Sequence, residues 1–74
     1  MKVFITQHVR QRLEQDRQQG VTIADVIKAA QGLPGRIPAA TRFRGFMSGD
    51  GRFFDIVAKD LESGRLVITV IGKS

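Results

Sequence analysis

The chain has 74 residues, no cysteine, a single histidine and a net charge of +5. That length holds one domain at most. The missing thiols exclude disulfides, thiolate zinc sites and thiol redox chemistry, and one histidine excludes a histidine-rich metal site within the chain. The positive balance, with a sequence pI near 10.8, points to an acidic partner, either nucleic acid or an acidic protein.

No apolar run is long enough to span a membrane and the start lacks a secretory signal, so a soluble cytoplasmic protein is expected. There is no repeat, low-complexity tract or linker, and residues 1–74 read as a single small basic domain. Met1 to Ile5 reads as a short edge strand or an irregular lead-in. From Thr6 to Gln19 the chain is rich in Gln, Arg, Leu and Glu, all good helix formers. Thr6 caps the start, Gly20 stops the end, and the apolar stripe is thin: Ile5, Val9 and Leu13.

A second helix is marked more clearly. Thr22-Ile23-Ala24-Asp25 fits a capping box, with Asp25 in place of the usual Glu or Gln, and Val21 and Val26 take staple positions. Ile23, Val26, Ile27 and Ala30 follow the helical i, i+3, i+4, i+7 spacing. Gly32 suits a left-handed cap, with Leu33 folding back on Ile27, and Pro34 prevents continuation.

After Pro38 the period changes. Thr41 to Met47, Arg52 to Lys59 and Arg65 to Ile71 read as strands. They are separated by the turn residues Ser48-Gly49-Asp50-Gly51 and Glu62-Ser63-Gly64. Connections this short imply an antiparallel meander. The expected fold is α+β: two N-terminal helices on one face of a three-stranded antiparallel sheet, four-stranded if Met1 to Ile5 adds a strand.

Period-two alternation sorts the sheet into faces. Phe54, Ile56 and Ala58, with Leu66, Ile68 and Val70, are expected to meet the helices, joined by Phe43 and Met47. The outer face then carries the basic residues Arg42, Arg44, Lys59 and Arg65. Among them stand the apolar Phe46, Phe53, Val57, Val67 and Ile71. Cations interleaved with aromatics suit single-stranded nucleic acid, the cations holding phosphate and the rings stacking bases. The same half-apolar face also suits a dimer interface or a partner protein. A bulge in any strand would flip these assignments.

His8 and Arg12 lie four apart, one turn along the first helix and on the same side. Imidazole is the side chain that ordinarily titrates near neutrality, and guanidinium stays charged. Metal-free RNA cleavage needs a base for the 2′-hydroxyl, an acid for the leaving oxygen and cations for the phosphorane. His8 fits the first need, and Arg12, Arg42, Arg44, Arg52, Lys59 and Lys73 the last. His8 equally fits an ordinary wet helix surface, and could reach past a sheet edge. Asp50, Asp55, Asp60 and Glu62 show no metal or dyad spacing and read as turn and solvation residues.

The order of these features resembles a family of small bacterial domains of unknown function allied to RelE-like and BrnT-like toxins. The likeness is carried by His8, Arg12 and Leu13, by Ile23, Asp25 and Val26, by Arg42 and Phe43, and by Val67 to Val70. It implies an α+β domain of the barnase/EndoU/colicin/RelE type, a group with many RNases paired with antitoxin proteins. The matched motifs are short and mostly structural, and of the matched positions His8, Arg12, Arg42 and Thr69 are the ones open to a functional role. This chain has no tyrosine, a departure from the better-known toxins.

The leading expectation is therefore an RNA-binding domain, and an endoribonuclease without cofactor or metal. His8 and Arg12 would be catalytic, and Arg42, Arg44, Lys59, Arg65 and Lys73 would bind the nucleic acid. An antitoxin-like protein is the implied partner. The rival is a non-enzymatic interaction or dimerisation module acting through Phe46, Phe53, Val67 and Ile71.

Overall fold

A computed structural model describes residues 1–15 and 20–73. The elements in chain order are β1 (Val3–Ile5), α1 (Gln7–Glu14), α2 (Ile23–Gln31), β2 (Thr41–Met47), β3 (Phe53–Leu61) and β4 (Gly64–Lys73). The strands form one sheet in the order β1-β4-β3-β2. β2, β3 and β4 pair antiparallel, as short hairpin connections require. β1 adds to β4 in parallel, making the sheet mixed rather than wholly antiparallel. Its chain reaches β4 only after both helices and two strands, so no hairpin dictates its direction.

The helices begin where their caps stand. The Thr6 side chain accepts the Val9 N–H at 3.2 Å. Thr22 and Asp25 close a full capping box. The Thr22 N–H foremost, against the cost of burial and helped by the Gly49 N–H, holds the Asp25 carboxyl below its ordinary range. α1 ends at Glu14, with Gln15 extended, short of the expected Gln19; residues 16–19 lie outside the described residues. The apolar stripe stops at Leu13, because the position four further on is Arg17.

α2 does not end in a left-handed glycine. Gly32 is right-handed at φ −79°, its N–H bonded to the Lys28 carbonyl at 3.1 Å. Instead Arg65 supplies the C-terminal cap. Its Nη1 donates to the carbonyls of Ala30 (2.7 Å) and Leu33 (3.0 Å), and Nη2 to Gly35 (2.9 Å). Nε and Nη2 donate to Asp60 at 2.6 and 3.1 Å. All five guanidinium N–H groups are thus used, and Arg65 is 1% exposed. Its expected place on the outer face is overturned, and with it a phosphate-binding role.

The core forms from Val9, from Val26, Ala29 and Ala30 of α2, and from Phe54, Ile56, Ala58, Val67 and Val70 of the sheet. β3 alternates as expected, but both of its neighbours are bulged. Between Phe43 and Phe46, β2 spends one residue more than β3, and Gly45 there has φ +85°. Between Val67 and Thr69, β4 does the same at Ile68. Each bulge flips one end of its strand. Phe46 turns to the core and meets Phe54 with ring centroids 5.7 Å apart, while Met47 turns out. Val67 becomes fully buried, and Leu66 moves to the outer face opposite Lys59. Phe46 and Val67 therefore leave the expected interface. No helix among the described residues is long and apolar enough to cross a membrane.

Candidate functional site

The site is built by the way α1 meets β4. β1 pairs with β4 only through Val67. Beyond that point Thr6 and α1 run along the strand and satisfy its edge. The Thr6 N–H bonds the Val67 carbonyl at 3.4 Å, Thr6 Oγ1 the Ile68 carbonyl at 3.0 Å, and Arg12 Nε the Val70 carbonyl at 2.9 Å. Val9 faces the core from this helix. His8 takes the outer side, and its Nε2 lies 3.0 Å from Thr69 Oγ1.

Thr69 pairs with Val57, and Val57 pairs with Arg42. Directly opposed residues share a face, so His8, Thr69, Val57 and Arg42 form one row across the face that no helix among the described residues covers. Two strand spacings separate Arg42 from Thr69, about 10 Å. Lys59 lies two residues further along β3 and is exposed. Opposite it come Leu66 and then Phe4, whose ring carries the Lys2 ammonium 5.6 Å from its centroid.

Arg42 does not stand alone. Its Nε and Nη2 donate to Asp55 Oδ2 at 3.0 and 2.8 Å, and the Gly45 N–H donates to Asp55 Oδ1 at 3.0 Å. Asp55 is fully buried although it lies on the helix-free face, while the Arg42 side chain is 40% exposed. The guanidinium covers the carboxylate with one edge, Nε and Nη2, and turns its remaining surface to solvent. Asp55 was expected to be a solvated residue. It instead ties Arg42 and the β2 bulge together. A carboxylate midway along Phe-Phe-Asp-Ile-Val was the available sign, since Asp is rarely buried without a partner.

The expected site residues divide clearly. His8, Arg42 and Thr69 come together in the row, with Lys59 beside it. Arg12 is committed through Nε to the β4 edge. Arg44 is exposed within the β2 bulge. Phe53 and Ile71 lie on the helix-free face, Ile71 opposite Asp55 and Phe53 opposite Met47. Lys73 stands opposite Phe53 in the ladder, and its side chain lies outside the described residues. The alternation of β2 predicts Met47 in the core, and the bulge at Gly45 turns it out to pair with Phe53.

Elsewhere, a groove of about 450 Å³ lies between α2 and the β2–β3 hairpin, lined by Ala29 of α2 and by Phe46, Met47 and Phe54 of the hairpin. Among the described residues no three His, Asp or Glu side chains come together as metal ligands. The row offers an imidazole, a hydroxyl and a guanidinium on an open surface. Those groups serve proton transfer beside an oxyanion. No protein-family model matches the chain, and neither the curated proteins nor the solved structures searched contain a match.

Proposed function

We propose that the helix-free sheet face binds RNA and that the chain is a RelE-like domain acting in the cytoplasm as a metal-independent endoribonuclease of toxin–antitoxin type. The observation that supports this most is the row itself, which brings His8 and Thr69 onto the same face as Arg42. In this reading His8, oriented by Thr69, removes the proton from a 2′-hydroxyl. The 2′-oxygen attacks the adjacent phosphorus, and the 5′-oxygen leaves with a proton from solvent, giving a 2′,3′-cyclic phosphate. Arg42 and Arg44 hold the phosphate, and Lys59 the strand beyond it. Arg12 is a positioning residue, since its bond to the Val70 carbonyl fixes the helix turn that carries His8. An antitoxin-like protein or a second copy would silence the domain by covering this face.

End-labelled RNA incubated with the protein, with and without EDTA, and resolved on a denaturing gel tests the reading. Discrete EDTA-resistant cuts that disappear in His8→Ala are expected, with RNA binding nearly intact. Cleavage that persists in a clean His8→Ala preparation would remove His8 from the mechanism. RNA left intact by the wild type over hours would favour the interaction-module reading, in which Phe53 and Ile71 meet a protein.

A further inference from the structure

We propose that Met47 and Phe53 form a clamp for one unstacked nucleobase, making the face selective for single-stranded over paired RNA. The inference rests on the RNA reading and adds a specificity device to it. Met47 is 60% exposed and Phe53 51% exposed, and they are direct partners in the β2–β3 ladder. Side chains opposed in this way are about 5 Å apart at Cβ. An exposed ring beside a flexible thioether is an adaptable apolar surface, and every base has a face that stacks on an aromatic ring.

The backbone holds this arrangement deliberately open. Met47 faces outward only because of the bulge at Gly45, whose φ of +85° suits glycine. The N–H of Gly45 is anchored by the buried Asp55, the carboxylate that also grips Arg42. One group thus sets both the phosphate ligand and the register of the clamp. Along β3, Phe53 lies four residues from Val57 in the Arg42 row, about 13 Å. A single strand lying across the row can turn a base down onto the ring at that distance. A duplex keeps its bases paired inward.

Size and charge select this occupant. Two side chains fit a base, whereas a stable protein interface needs about 800 Å² on each partner. On β2 and β3 Arg42, Arg44 and Lys59 are exposed, while the carboxylate of Asp55 is buried beneath Arg42, which favours a polyanion. A second copy would set like charges against each other.

The test is fluorescence anisotropy with a labelled 12-nucleotide oligoadenylate and with an RNA hairpin of similar length. Wild type should prefer the single strand. Phe53→Ala and Met47→Ala should each weaken single-strand binding about tenfold, leaving hairpin binding and thermal stability nearly unchanged, and Phe53→Tyr should retain it. An abasic substitution at the clamped position should cost the wild type a similar factor and Phe53→Ala nothing. Undiminished single-strand affinity in Phe53→Ala would overturn the clamp while leaving RNA binding standing. Absence of RNA binding by the wild type would overturn the underlying reading as well. A concentration-dependent dimer abolished by Phe53→Ala would make the pair a protein seam and overturn the clamp.

Discussion

Two arginine–aspartate pairs occupy opposite faces of one sheet. On the helix side Arg65 is the buried member, and Asp60 and three main-chain carbonyls use every N–H it has. On the open side the carboxylate of Asp55 is buried and Arg42 stays half in water. Which partner is buried decides what the pair can do. A guanidinium sunk in the core closes a helix end and has nothing left to give. A guanidinium lying over a sunken carboxylate is held in place and keeps part of its surface in solvent.

Arg65→Met should break the comparison hardest. It strands Asp60 and the carbonyls of Ala30, Leu33 and Gly35, at a cost of about 3–5 kcal/mol in urea unfolding. A loss below about 1 kcal/mol would mean the core pair is no more structural than a surface one. Gly45→Ala should cost about 1–2 kcal/mol, because its left-handed backbone penalises a Cβ even though open space surrounds it. The same variant should weaken RNA binding by disturbing Arg42 and Met47 together. Arg42→Gln should lower stability by about 1 kcal/mol. Its affinity for RNA should fall across sequences and its salt dependence become shallower.

The last effect is a pH dependence that appears only in acid. Hydrogen bonds from Arg65 foremost, then from the Ile37 N–H, hold Asp60 at about 2 against an ordinary 3.8. A depressed carboxyl binds fewer protons folded than unfolded, so its stabilisation is complete above the ordinary value and fades as pH falls from about 4 towards 2. Melting temperatures taken from pH 7 to pH 2 should show that limb in the wild type and a flatter one in Asp60→Asn.

Local signals were legible in the residues. The capping box of α2, the strands after Pro38 and the alternation of β3 follow from spacing alone. What the spacing hid was long-range. Arg65 reaches carbonyls 30 to 35 positions away, and no periodicity reports such a contact. One inserted residue at Ile68 reversed Leu66 and Val67 without a glycine to announce it, whereas the bulge in β2 had Gly45 as a sign. For the site, the spacing of His8 and Arg12 was visible as a pair. The two proved to divide, His8 to the open face and Arg12 to the strand edge, because the helix lies beside β4 instead of over it.

The same helix placement limits how molecules of this protein can join. Edge-to-edge growth of sheets needs two long free edges per molecule. At one side the sheet ends in a three-residue strand and then in Thr6 and α1, where the Thr6 and Arg12 side chains already bond the Ile68 and Val70 carbonyls of β4. Among the described residues that leaves β2 as the long open edge, and copies with one such edge each stop at a pair.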